Sequence, residues 1–219
     1  MAAGEGTRLR PLTERWAKSV LPIDGRPVLA TLLRELAAAR CERVWLVTGH
    51  LAEQVEALAG DGTAFGVEIR TVTQPGVLGS ADAVQRALAA GGELPLIVSA
   101  ADTVFSRGDV ARFVEEFSAT APAGAIAVRT NPGPGRERYA VRREGDRIVE
   151  IYDDTAEAGA WTPAPLWGLD RVVAERLCLD QPPHELGNAY QSAIDAGETV
   201  LAVEIGKTRD LTYPLDLVK

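Results

Sequence analysis

The chain has 219 residues, 46% hydrophobic and 25% charged, with a net charge of −8 and a pI near 4.9. That length suffices for one buried core, because single cores stop growing only near ~250–300 residues. The acidic balance excludes a nucleic-acid binder built on a basic face, and no apolar run approaches the ~20 residues of a membrane span.

The first element is a loop, "MAAGEGTRLRPLT". Gly4 and Gly6 lack a Cβ, so backbone can approach an anion closely there. Successive N–H groups in such a loop form a nest for phosphate oxygens, and Arg8 and Arg10 add charged donors. No Gly-Lys-Ser/Thr follows, so this is not a Walker A loop, and Leu9 stands where a G-x-G-x-x-G loop has its third glycine. Taken alone, the stretch reads equally well as an ordinary Gly-containing turn near a terminus.

Short apolar runs then alternate with longer amphipathic ones. Arg43–Thr48 reads as a buried strand, and residues 51–59 as a helix with Leu51, Val55 and Leu58 on one face. Val67–Thr73 is a strand, and Ser80–Ala90 a helix opened by Ser80 and Asp82. Pro95–Ala100 is a strand, residues 109–119 a helix, and Gly124–Arg129 a strand. Thr130–Arg136 is the most loop-like stretch. "RYAVRREGDRIVEIYDD" predicts a hairpin turning at its Gly and Asp. Residues 164–170 form a further strand, Asp170–Leu179 and Glu185–Ala196 two helices, and Thr199–Ile205 a last strand. This order predicts one α/β domain whose sheet is mostly parallel and covered by helices on both faces.

Cys41 and Cys178 lack metal-ligand spacing and are expected to be reduced and structural. The N-terminus lacks the charged-then-apolar order of a signal peptide, which predicts a cytoplasmic protein.

Further on, "KSVLPIDGRPVL" sets Lys18 before an apolar run. Together with the opening loop it resembles the sugar-phosphate nucleotidylyltransferases, whose signature is G-x-G-T-R-L-x-P-L-T, a short spacer, then K-x-x-L-P-I-x-x-x-P. The resemblance continues in order. "QPGVLGSADAV" is similar to the base-recognition segment, with Gln74 and Gly79 in the matching places. "LIVSAADTVF" is similar to the strand that ends in a metal-binding Asp, here Asp102, although Ala101 replaces the usual Gly. "EIGKTRDLTYPLDLVK" resembles the closing segment and puts Asp210 on a second metal carboxylate. The resemblance implies a three-layer α/β/α Rossmann-like nucleotidyltransferase domain over 1–219, with a nucleotide-binding part at about 1–125 and an acceptor-binding part at about 126–219. It implies an Mg2+-dependent enzyme that transfers a nucleoside monophosphate from a nucleoside triphosphate to a sugar 1-phosphate and releases pyrophosphate. Ala3, Gly4, Gly6, Thr7, Gln74 and Gly79 would bind the nucleotide. Arg8 and Lys18 would be catalytic, and Asp102 and Asp210 would hold Mg2+. A Gln amide carries donor and acceptor together and suits the imide edge of uracil or thymine, which favours UTP or dTTP.

The acceptor side departs from the family. Tyr139, Ala140 and Asp153 fall on its acceptor-binding positions. Ala140 replaces the usual Gly, and Asp153-Asp154-Thr155 replaces Glu-Lys-Pro. Two other readings follow: transfer to another phosphorylated acceptor such as phosphocholine, or a non-catalytic nucleotide-binding relative. The family also carries a short apolar run ahead of the Ala-Ala-Gly as its first strand. Here Met1 stands in the last position of that strand. The expectation is therefore a missing first strand, a stub that pairs with nothing, an unsupported loop, and a natural start upstream.

Overall fold

Strands that are apolar on both faces need cover on both sides, and the structure supplies it. The computed structural model describes residues 1–130, 140–153, 161–180 and 184–217, without the side chains of Tyr152 and Asp153. A small hairpin of β1 (Pro22–Ile23) and β2 (Arg26–Pro27) leads into α1 (Val28–Ala38), β3 (Arg43–Thr48), α2 (Ala52–Ala59) and β4 (Glu68–Thr73). Next come α3 (Ser80–Ala89), β5 (Leu96–Ser99), β6 (Thr103–Val104), α4 (Asp109–Thr120) and β7 (Gly124–Thr130). The second half runs β8 (Ala140–Glu144), β9 (Arg147–Asp153), β10 (Trp161–Leu169), α5 (Arg171–Ala174), α6 (Leu186–Asp195), β11 (Val200–Glu204) and β12 (Arg209–Asp210).

The period of two along a strand divides the core into two layers. On β7, Ala125 and Ala127 face the cluster that holds Phe113 and Phe117 of α4 and Leu33 of α1. Ile126 and Val128 face the other side, where Ala189, Tyr190 and Ala193 of α6 pack. On β11, Leu201 and Val203 join the first layer, and Val200 and Ala202 the second. The result is the expected α/β/α arrangement.

The main sheet has the order β5-β10-β7-β11-β9-β8, and β3 pairs with β4 in a separate ladder. The expected parallel pairing holds for β3–β4 and β7–β11. It gives way elsewhere, because β10 runs antiparallel to both β5 and β7, and β8–β9 is a hairpin. The sheet is therefore mixed. β10 also begins at Trp161, ahead of the predicted start. Its prolines are accommodated because the register with β7 shifts between Pro163 and Trp167. α5 is a single turn, much shorter than predicted. Val173 is its one buried residue, so little packing sustains more helix.

The N-terminus departs from expectation in a way that matters for the site. Met1–Ala3 does pair, and on both sides. Ala2 bridges Thr48 in parallel and donates its N–H to Val47 at 2.7 Å. The Met1 ammonium donates to the Ser99 carbonyl at 2.8 Å, and the Met1 carbonyl accepts from Ala101 at 2.9 Å. This short segment thus ties the end of β3 to the end of β5. Behind it, a slot of about 430 Å³ runs between the two strands. Val44 and Leu46 of β3, Leu96 and Val98 of β5, Leu33 of α1 and Val84 of α3 line it. Among the described residues, no helix is long and apolar enough to cross a membrane.

Candidate active site

The opening loop is anchored at each of its turns. Gly6 sits at φ 63°, in the left-handed region that favours glycine. A Cβ there would lie 2.9 Å from the Thr13 methyl and 3.3 Å from Lys18 Cβ, so the loop closes directly onto the lysine. Thr13 Oγ1 donates to the Gly6 carbonyl at 2.8 Å, and His50 N–H donates to the Ala3 carbonyl at 3.3 Å. Leu9 is fully buried with Leu21, Ile23, Val28 and Leu211, and this small core holds the loop down. The result leaves Gly4, Thr7 and Arg8 exposed. Arg8 makes no ion pair among the described residues, whereas Arg10 pairs with Glu5 at 3.2 Å. Of the two arginines, Arg8 is the one left for a ligand.

Lys18 and Asp102 meet. The ammonium donates to the Asp102 carboxylate, across 84 positions of sequence. Two anchors position this pair. Gln54 of α2 accepts from Ala17 N–H and donates to the Arg15 carbonyl, both at 2.8 Å, which holds the backbone just before Lys18. Asp102 follows β5, and its carbonyl accepts from Leu211 N–H at 2.9 Å. That bond extends the pairing of β6 with β12, in which Asp210 lies opposite Thr103. Asp102 and Asp210 thus lie on neighbouring backbone segments at adjoining strand ends, where ligands of open α/β sheets bind.

Their surroundings differ. The Asp102 side chain is partly exposed. Asp210 is buried, with Arg129 donating to one carboxylate oxygen at 2.9 Å. Thr103 and Thr208 donate to the other at 3.0 and 3.2 Å. Oxygen-only donors suit Mg2+, which binds one or two carboxylates and completes its shell with water and phosphate. Asp102 fits that role directly. Asp210 fits it by exchanging one of its present partners. No cluster of three or more metal-ligating side chains occurs among the described residues.

The expected base-reading residues also come together. Gln74 directly follows β4, and its N–H donates to the Thr48 carbonyl. Its side-chain amide donates to the Gly79 carbonyl at 3.0 Å and to Asp82 at 2.8 Å. Gly79 has φ 97°, and a Cβ there would lie 2.4 Å from the His184 carbonyl oxygen, so no other residue fits. Burial raises the Asp82 carboxyl pKa, but hydrogen bonds from Arg86 and Gln74 outweigh that and hold it below the usual carboxylate range.

On the acceptor side, Ala140 is buried at the start of β8 and pairs through its backbone with Asp153 at the end of β9. Tyr139, Asp154 and Thr155 lie outside the described residues. Sequence reasoning missed Arg129, Asp82, His50 and Gln54. Arg129 alone left a signal: a charge inside the otherwise apolar "GAIAVRT" demands a buried partner.

Residues 1–152 match the nucleotidyl transferase family, and the chain belongs to it. A glucose-1-phosphate thymidylyltransferase from Streptomyces griseus is 30% identical over 227 residues, covering 100% of this chain and 63% of that protein. The chain thus spans less than two thirds of that relative's length. A UDP-glucose pyrophosphorylase from Acinetobacter baumannii has the same fold, with a TM-score of 0.80 at 21% identity over 99% of this chain and 88% of that one. An inositol-1-phosphate CTP transferase from T. maritima does too, with a TM-score of 0.82 at 21% identity over 99% and 89%.

Proposed function

We propose that the chain transfers a nucleoside monophosphate from UTP or dTTP to a sugar 1-phosphate, giving a nucleotide sugar and pyrophosphate in the cytoplasm. The observation that carries this reading is the meeting of Lys18 with Asp102 beside the glycine loop and its exposed Arg8. The Streptomyces griseus relative supports the sugar 1-phosphate as acceptor.

In this reading the triphosphate lies against the N–H groups of Ala3–Thr7. An oxygen of the acceptor phosphate attacks the α-phosphorus, and the bond from that phosphorus to the bridging oxygen of pyrophosphate breaks. The protein contributes positioning and charge. Lys18 would span phosphates near the α-phosphorus. Arg8 meets the charge that grows on departing pyrophosphate. Asp102 and Asp210 would hold Mg2+, which supplies charge neutralisation when bound. Arg129 and the two threonines keep Asp210 in place.

A pyrophosphate-release assay that crosses UTP, dTTP, CTP, ATP and GTP with a panel of acceptor phosphates tests the reading. Turnover with UTP or dTTP and a sugar 1-phosphate is the expected result. Turnover with phosphocholine alone would move the acceptor to another class, and release with no pairing would overturn the reading.

A further inference from the structure

A glutamine amide can face a ligand with either its oxygen or its nitrogen, and the choice decides which bases it accepts. In this chain the choice is made from behind. Gln74 is buried, and its Nε2 lies 2.8 Å from an Asp82 carboxylate oxygen and 3.0 Å from the Gly79 carbonyl. Both of those groups only accept, so the NH2 end must face them. No described group donates to Oε1, which is left as the end available to a ligand. Asp82 is itself fixed. It sits in the first turn of α3, only 7% exposed at its side chain, and takes a 2.7 Å hydrogen bond from Arg86 one turn on. The helix start is pinned in turn, because Ala81 N–H donates to the His184 carbonyl at 2.7 Å and Leu186 N–H donates to Ser80 Oγ at 2.7 Å.

We infer that Asp82 is a positioning residue for base recognition: by locking the Gln74 amide with Oε1 outward, it selects a pyrimidine that carries a ring N3–H over one that does not. This rests on the proposed nucleotidyl transfer and on Gln74 meeting the base. Uracil and thymine carry a proton on N3 for Oε1 to accept. Cytosine has a bare N3, so two acceptors would face one another. The two bases are nearly the same size, so the discrimination is one of hydrogen bonding. A site that leaves a buried acceptor without a donor rejects the wrong ligand more strongly than a mismatch of one methylene would.

The test is equilibrium binding of UTP and of CTP to the full chain, without acceptor. The wild-type protein should prefer UTP by about tenfold or more, the scale of one hydrogen bond. Asp82→Leu is similar in size and removes the acceptor that Gln74 Nε2 shares with Arg86, so the Gly79 carbonyl alone is left to hold the amide. It should shrink the UTP-to-CTP ratio by about tenfold, the same scale. Arg86→Met should lower stability yet keep the ratio, because Asp82 and the Gly79 carbonyl still face Nε2. A purely structural role for Asp82 would weaken both nucleotides equally. Should the Leu variant not fold, the pair Asp82→Ala with Arg86→Met removes both charges together and should show the same fall in ratio. An unchanged ratio, or a wild type that binds UTP and CTP equally, overturns the inference and leaves nucleotidyl transfer standing. Binding of neither nucleotide overturns both.

Discussion

At the scale of single residues, the site is organised by two ion pairs of different character. Lys18–Asp102 is partly exposed, so under the proposed function both partners would be free to exchange toward phosphate and metal. In the proposed reaction, removing the Asp102 carboxylate would take away a charge needed when the α-phosphorus reacts. Asp102→Ala should therefore lower turnover by about 100-fold or more, measured as pyrophosphate release at saturating substrate. Near wild-type turnover would end the assignment of Asp102 to the metal. Arg129–Asp210 is buried, with both side chains almost wholly out of solvent. Arg129→Met leaves the Asp210 carboxylate buried with its threonine partners but without the Arg129 charge. The expected cost is about 3–5 kcal/mol of folding stability, read by denaturant unfolding. A variant as stable as wild type would mean that Asp210 reaches another cation.

At the scale of elements, β3 and β5 are joined, among the described residues, by hydrogen bonds only where Met1–Ala3 runs between them. The apolar slot behind that segment leaves room for larger side chains. Val98 of β5 lines it and is buried. Val98→Ile adds one methylene while keeping a β-branched residue in a strand. It should raise stability by about 0.8 kcal/mol, seen as a higher melting temperature. In a closed core the same change would overpack and cost about 1–3 kcal/mol. The sign of the shift therefore reports whether the slot is open in solution.

At the scale of the whole molecule, acid stability depends on groups that bind protons differently in the folded and unfolded chain. The Asp82 carboxyl is held below its ordinary range by Arg86 and Gln74, against the opposing effect of burial. A lowered carboxylate pKa lends stability above the unfolded value of about 3.9. That contribution is lost as pH falls from there through the folded value. Asp82→Asn should therefore flatten the fall in melting temperature below about pH 4, compared with wild type. Parallel curves for the two proteins would show that Asp82 does not carry the effect.

The amino-acid sequence by itself determines much of this protein. The alternation of short apolar and longer amphipathic runs specifies the α/β class, because side-chain periods of 2 and 3.6 are properties of the local chain. The strand at Arg43–Thr48 and the helix α3 are legible almost to the residue. The loop from Ala3 to Arg8, with Lys18, Gln74, Gly79, Asp102 and Asp210, follows from spacing and resemblance. Contacts between distant segments decide the rest. The antiparallel course of β10 depends on which strand it meets, and the pairing of Met1–Ala3 on both sides depends on where β3 and β5 lie. The burial of Asp210 against Arg129 joins positions 81 residues apart, and no local pattern encodes such a meeting. The orientation of the Gln74 amide is the sharpest case. Its amino-acid identity permits either face, and only the folded positions of Asp82 and the Gly79 carbonyl behind it remove one of them.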